Sequence, residues 1–353
     1  MEKKPVVLDL GSYSIKYGIG GSSLPGLFLG EEIGTGFECG KISDWERLKT
    51  ILAIIMNERI ELDPEETNVL ISVPFHNLFE IDEKICKYFF ERFNINAIYV
   101  ALQPVLSLYG SGLTDGLVVE VGYSQTQIVS VANGYAIWDS IESNNVGLKL
   151  IFTNLKNKLE ENGLNLNYKS IQNLIKEHCF VSQNIEKEKE KEKEKEKEKE
   201  KEKEQQKNKN DYKNERYSFQ TSSDRFLFPE ILFNPSMAGI NELSIQDLIK
   251  KSLSNFSIEK RKDFVKNIVF SGGATNIPGF EERLANELTD LFNIQIKKRA
   301  NLKFNKSYCS YIGGSILSSL NDFQAFWIPK EQYKQDGVKV VYKCYQSRPE
   351  KKK

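Results

Sequence analysis

The chain has 353 residues, with 49 Lys plus Arg against 49 Asp plus Glu, five cysteines and two histidines. That length suits one large two-lobed molecule or two ordinary domains. The balanced charge gives no electrostatic handle for nucleic acid, and no stretch has the ~20 consecutive apolar residues needed to insert in a membrane. Cys39, Cys86, Cys179, Cys309 and Cys344 are scattered without a CxxC pair. That excludes a cysteine zinc or redox motif and fits a reducing compartment. His76 and His178 alone exclude a multi-histidine metal site. No apolar h-region follows Met1 to Pro5, so the expected location is cytosolic or nuclear.

Pro5 to Gly11 is an apolar run ending in Asp-Leu-Gly, which predicts a buried strand and a tight turn. Ser14 to Ile19 reads as the next strand. Ser43 and Glu46 have the spacing of a capping box, followed by Trp45, Leu48, Ile51, Leu52 and Ile55 at helical intervals. Val69 to Val73 is strand-like, Ile81 to Phe93 helical, Ala97 to Ala101 strand-like, and Val105 to Gly110 a short helix. The alternation predicts an α/β lobe over 1–112. A second lobe starts within 113–183, where Leu117-Val118-Val119-Glu120-Val121-Gly122 echoes Val6-Val7-Leu8-Asp9-Leu10-Gly11. The echo reads as an internal duplication that sets two acids face to face across a cleft. Two unrelated strand–turn units would look the same.

Val146 to Gly163 is predicted helical. The Glu-Lys alternation of Glu186 to Glu204 has like charges at i,i+4 and no apolar residue. It predicts a disordered linker over 184–223. The second lobe then resumes over 224–310, with a helix over Glu242 to Leu253 and a strand over Asn267 to Phe270. That strand leads into Ser271-Gly272-Gly273, and Pro278 stands at the N1 position of a helix through Leu291. Residues 311–353 return to the first lobe through a helix from Tyr311 to Leu320 and end in a basic tail.

Three glycine turns flank buried strands: Asp9-Leu10-Gly11-Ser12, Glu120-Val121-Gly122-Tyr123 and Ser271-Gly272-Gly273-Ala274. Glycine at a strand end lets backbone N–H groups approach phosphate oxygens. A carboxylate beside such a turn suits hydrated magnesium, and Lys16 on the next strand suits a phosphate. One such turn means little; three in one chain point to a nucleotide cleft between two related lobes.

The same segments resemble actin along most of the chain. The resemblance is carried by Asp9, Gly11, Ser12, Lys16, Gly18 and Gly21, by Tyr99 to Gln103 with Leu106 to Tyr109, and by Val269 to Gly273 with Pro278-Gly279. Tyr311 to Leu317, Phe323-Gln324, Trp327-Ile328 and Lys343-Cys344-Tyr345 extend it. It implies an actin-like bilobal α/β fold, two ribonuclease-H-like halves in four subdomains, with ATP or ADP and Mg2+ in the cleft, or a degenerate cleft held shut by packing. Carried over residue by residue, Asp9, Gln103 and Glu120 match the water-mediated metal site. Gly11, Ser12, Lys16, Gly122, Gly147, Lys176, Glu177, Gly272 and Gly273 match the nucleotide contacts. Gln103 and Gln127 stand at the positions of the attacking water. The loops depart from the family: Tyr13 replaces glycine, Glu120 and Tyr123 replace aspartates, Ser124 replaces glycine, Gln127 a histidine and Ser307 a lysine. Tyr13 and Tyr123 crowd the phosphate space, and the longer Glu120 displaces a group whose geometry tolerates little change. No catalytic set is assigned, and weak or absent hydrolysis is expected.

What is missing is as informative. Only Pro25 to Gly40 lies where actin has its second subdomain, and the Glu-Lys run replaces the middle of the fourth. Both losses fall on the pointed end. The barbed-end groove, formed by Tyr99 to Tyr109, Ile312 to Leu320 and the Trp327 region, is retained. Filament growth is head-to-tail, so a subunit with the groove but no protruding loop stops growth at the pointed end. The pattern, with Ile175 to Ser182, is similar to the pointed-end actin-related subfamily of dynactin. That likeness implies cytoplasmic, cytoskeletal partners: actin-like filament subunits at the groove and other pointed-end subunits of the complex. The alternatives are a nuclear actin-related subunit of a chromatin-remodelling complex and an active ATPase of the same superfold.

Overall fold

A computed structural model describes residues 5–30, 33–76, 78–194, 219, 223–293, 296 and 304–345. The chain folds into two lobes, each built on a sheet. In the first, β1 (Val6–Leu10), β6 (Asn68–Val73) and β7 (Ala97–Leu102) run parallel. Strand β2 (Ser14–Ile19) folds back on β1, β3 (Gly26–Leu29) extends the sheet beyond β2, and β13 (Ile328–Pro329) closes the far edge. Parallel strands are covered on both faces, which is why Val6 to Leu10 is apolar almost throughout. Val6 and Leu8 pack under α1 (Trp45–Ile54) and α2 (Leu78–Lys87). Val7 faces the other way, onto Tyr311 and Ile312 of α11 (Cys309–Ser318).

The second lobe repeats the plan. Strand β8 (Gly116–Val121) pairs antiparallel with β9 (Thr126–Ala132) and parallel with β12 (Ile268–Ser271). Strands β10 (Tyr135–Ala136) and β11 (Glu142–Asn144) pair with β9. Leu117, Val119 and Val121 pack in one core with α4 (Leu148–Glu161), α5 (Tyr168–His178), α8 (Ile245–Leu253), α9 (Ile258–Lys266) and α10 (Phe280–Phe292). Val118 and Val129 face Leu108 of α3 (Gln103–Gly110). Thus α3 covers one sheet, α11 covers the other, and the two helices pack on each other through Gly110 and Gly313. This crossing joins the lobes beneath the cleft.

Several local expectations are corrected. The cap of α1 is Asp44, whose side chain accepts from Arg47 N at 3.0 Å. Ser43 instead sits in a turn, its N–H on Gly36 O at 2.8 Å. The helix begins at Trp45, which moves the capping frame by one residue. Helix α10 begins at Phe280 with Gly279 at its cap, so Pro278 precedes the helix. Gly279 has φ +84°, and a Cβ there would strike Val181 O. Helix α5 is an element that the sequence reading did not draw. Residues 185–194 form a helix, α6, where charge alternation predicts disorder. Its i,i+3 pairs Lys189–Glu186 and Lys191–Glu188 close at 3.2 and 2.9 Å. Glu192 is tied to Arg225 of α7 (Asp224–Glu230) at 3.1 Å, which gives the run a tertiary anchor. The rest of the Glu-Lys run lies outside the described residues, as does the tail from 346. Among the described residues no helix is long and apolar enough to cross a membrane.

Between β3 and α1 the described residues hold only the two-residue strands β4 (Phe37–Glu38) and β5 (Lys41–Ile42). This stretch returns across the mouth of the cleft. Thr35 Oγ1 donates to Gly11 O at 2.7 Å, and Arg47 Nε donates to Gly34 O at 2.6 Å.

Candidate functional site: the cleft between the lobes

The two glycine turns meet at the centre of the molecule, and their strands are in matching registers. Asp9 on β1 lies beside Ser72 of β6 and Lys16 of β2. Glu120 on β8 lies beside Ser271 of β12 and Gln127 of β9. The sequence echo is therefore a structural repeat, and it brings the two acids together. Asp9 is buried, with Oδ2 3.1 Å from Lys16 Nζ. Its Oδ1 accepts from Ser72 Oγ and Gln103 Nε2, both at 2.9 Å. Gln103 Nε2 also donates to Leu10 O at 3.0 Å, which fixes that side chain as the first residue of α3. Glu120 is less well served. Its Oε2 is buried without a partner. Burial first, and then the nearby Asp9 carboxylate, push its carboxyl up to about 8.

The turns themselves touch across the cleft. Ser12 and Ser124 share a hydroxyl hydrogen bond of 2.8 Å. The Tyr13 and Tyr123 rings lie 5.3 Å apart, centroid to centroid. Tyr13 OH donates to Gln172 Oε1 at 3.1 Å, and the Tyr123 and Tyr168 hydroxyls are 3.0 Å apart. Gln172 and Tyr168 both stand on α5. The stretch between β3 and α1 adds a bond from Cys39 N to Ser124 Oγ at 3.0 Å and the Glu38–Lys149 pair at 2.8 Å. Gln127 sits behind the cleft, where its Oε1 accepts from Phe75 N at 3.1 Å, another link between lobes.

Tyr13 and Tyr123 divide the cleft in two. The inner compartment, about 110 Å3, is lined by Asp9, Gly11, Ser12, Lys16 and Gln103 of the first lobe and by Glu120, Gly122, Gly272 and Gly273 of the second. Gly272 has φ +90°, and a Cβ there would strike the Val121 backbone. The outer compartment is about 460 Å3, with Tyr308, Phe152, Ile277 and Lys176 among its walls. Both tyrosines, Gly273 and Ser307 line both spaces. Gly147 lies behind the lining as the cap of α4, pressed on the Tyr123 carbonyl. Glu177 is not brought to the cleft: it stands on the exposed side of α5, 3.9 Å from His178. The sequence reading missed Thr35, Cys39, Tyr168 and Gln172.

These residues test the nucleotide and magnesium that the resemblance implies. The orphan Glu120 oxygen suits a cation. The inner compartment is narrow, about 110 Å3, and the Tyr13 and Tyr123 rings stand in its lining beside the glycine turns. The outer compartment has the size of an ordinary small-molecule site. Among the described residues no cluster of three or more His, Cys, Asp or Glu side chains is placed to hold a metal alone.

A separate apolar groove of about 220 Å3 lies between the lobes on another side, lined by Tyr99, Val105, Tyr109, Trp138, Leu317 and Phe326 among others. Phe326 is 53% exposed there. The Trp327 region reaches this groove through Phe323 and Phe326, while the Trp327 side chain itself packs in the core.

The family model for actin matches this chain over residues 30–214 and again over 165–346. The chain belongs to the actin family, and the paired sheets with their intervening cleft are the actin-like bilobal fold.

Proposed function

We propose that this protein is a structural actin-family subunit that caps the pointed end of the actin-like filament of dynactin, in the cytoplasm, and so supports dynein-driven transport. The observation that carries this reading is the asymmetry between the two ends. The groove lined by Tyr99, Tyr109 and Phe326 is present, while the segment after β3 is bonded back onto the phosphate turns through Thr35 and Cys39 instead of projecting. Such a subunit receives one neighbour and offers no loop to the next, which terminates a heterologous assembly. Leu24 and Ile33 are exposed on either side of β3, and such apolar positions fit a site covered by further pointed-end subunits. Engagement of Gln127 by the Phe75 backbone supports weak ATP turnover.

Affinity purification of the full chain from its native cells tests the assignment. Actin-like filament subunits and dynein components are expected to co-purify. Recovery of remodeller subunits in their place would move the protein to the nuclear branch of the family.

A further inference from the structure

The six-stranded sheet of the first lobe has two edges, and they differ. At one edge β13 is two residues long and ends in Pro329, which has no N–H to offer a further strand. At the other edge stands β3, and among the described residues no strand pairs beyond it. Its run Gly26-Leu27-Phe28-Leu29-Gly30 carries neither a charge nor a proline, and its pairing with β2 is regular, without a bulge. Soluble proteins blunt an exposed edge with lysine, proline or a bulge, because the open row of backbone groups is a template for another strand. The β3 edge has none of these guards.

The register fixes which backbone groups point outward. Gly20 N donates to Pro5 O at 2.7 Å, and Gly30 N donates to Tyr13 O at 2.9 Å. Along 13–20, even-numbered residues therefore bond to β1 and odd-numbered residues bond to β3. Ile15 and Tyr17 lie opposite Phe28 and Gly26, so Phe28 and Gly26 bond inward. The N–H and C=O of Leu27 and Leu29 face away from the sheet. The Leu27 and Leu29 side chains border the outer compartment, and Phe28 packs on the opposite face with the core of the first lobe. Leu24 before the strand is 72% exposed, and Ile33 after it is 76% exposed.

We propose that two free copies of this chain pair edge to edge along β3, antiparallel, about a two-fold axis at Phe28. The axis sets Leu27 of each copy against Leu29 of the other, a pairing that makes about four backbone hydrogen bonds. The two Phe28 residues meet at the axis as a non-hydrogen-bonded pair, the kind that brings side chains closest. Leu24 and Ile33 flank the paired strands. The strand's own sequence favours a second copy over a foreign strand: every cross-strand pair from Gly26 to Gly30 sets leucine on leucine, phenylalanine on phenylalanine or glycine on glycine, with no like charges opposed. A two-fold contact of this kind closes on itself, so it yields a dimer and no polymer. The contact is short and falls in the class below about 1,200 Å2, which makes the dimer reversible, with a dissociation constant on the order of 10 µM. The pairing is a property of the free subunit and is independent of filament capping.

Sedimentation velocity of the full-length chain between about 1 and about 100 µM tests the proposal. The weight-average mass should rise from that of the monomer toward twice that value and fall back on dilution. Leu29→Pro removes one outward N–H and no bond to β2, and Leu27→Lys places a charge on the open edge. Each should raise the dissociation constant at least about tenfold, while Leu291→Lys, at an exposed leucine of the second lobe, should leave it unchanged. Should Leu29→Pro fail to fold, Leu27→Lys carries the comparison, since it alters a side chain that is already 41% exposed. Phe28→Cys reads the register itself. Non-hydrogen-bonded partners have Cα atoms about 4.5 Å apart, within disulfide reach, so mild oxidation should link this variant into dimers and leave the wild type unlinked. A wild-type chain that stays monomeric throughout overturns the proposal and leaves the edge to a strand of another protein. A dimer indifferent to both edge variants, or a Phe28→Cys chain that does not cross-link, also overturns it.

Discussion

Gly313→Ala is expected to destabilise the protein by about 3 kcal/mol, with a fall in melting temperature of about 4 °C for a chain of this length. A Cβ at Gly313 would overlap the carbonyl oxygen of Leu106 and crowd Gly110 N. Neither is the end of a flexible side chain, so the only relief is to part α3 from α11. Those helices each cover one lobe's sheet. Their separation would loosen Val7 and Leu70 on one side and Leu108 against Val118 on the other. Gly273→Ala is the control. Its Cβ would meet nothing within 4 Å, and its effect on melting should stay within about 0.5 kcal/mol. Equal losses in the two variants would show that the helix crossing is not the rigid joint described here.

The second large effect is a pH dependence centred on Glu120. Its carboxyl is pushed up to about 8 from an ordinary value of 4.5, by burial and by the charge of Asp9. Between those two pH values the folded protein keeps a proton that the unfolded chain has released. Stability from this group is therefore fully present below about pH 4.5, is lost as pH rises toward 8, and levels off above. One pKa unit corresponds to about 1.4 kcal/mol, so the loss across the window is on the order of 4 kcal/mol. Glu120→Gln carries a neutral side chain of the same shape. In metal-free buffer the variant should match the wild type near pH 5 and exceed it by about 3 kcal/mol at pH 8, as read from denaturant unfolding at each pH. Titrating groups remote from Glu120 act in both proteins and cancel in the difference. Parallel profiles for the two proteins would rule out a buried proton on Glu120.

Much of the fold was legible because buried parallel strands leave a continuous apolar signature. The runs Pro5 to Gly11, Val69 to Val73 and Ala97 to Ala101 could be read from their apolar pattern, and the paired acid–glycine turns were visible as an echo. Tyr13 and Tyr123 were legible as obstacles, since large rings stand where small or acidic residues are expected. Their partners were not. Gln172 and Tyr168 are more than forty residues beyond Tyr123 and lie on α5, whose apolar positions Ile171 and Ile175 give only a short stripe. Thr35 and Cys39 were hidden for another reason: their segment was read for what it lacks, and its backbone hydrogen bonds have no local sequence signature. Residues 185–194 illustrate the limit of charge patterning. Repulsion at i,i+4 argues against an isolated helix, but it carries no information about Arg225, which arrives from another part of the chain. The shift from Ser43 to Asp44 is smaller in kind. Two adjacent residues can both cap a helix, and the choice falls to the packing of Trp45 and Leu48.

The central claim is that this chain has the socket of a filament subunit without its plug. Its most direct test is microscopy of single filaments of the dynactin actin-like subunit, with both ends marked and the purified full-length protein added. Growth at the pointed end should stop while the opposite end elongates at its usual rate, and the protein alone should form no polymer at any concentration. Assembly of the purified chain into filaments of its own, or continued growth beyond it at the pointed end, would contradict the account.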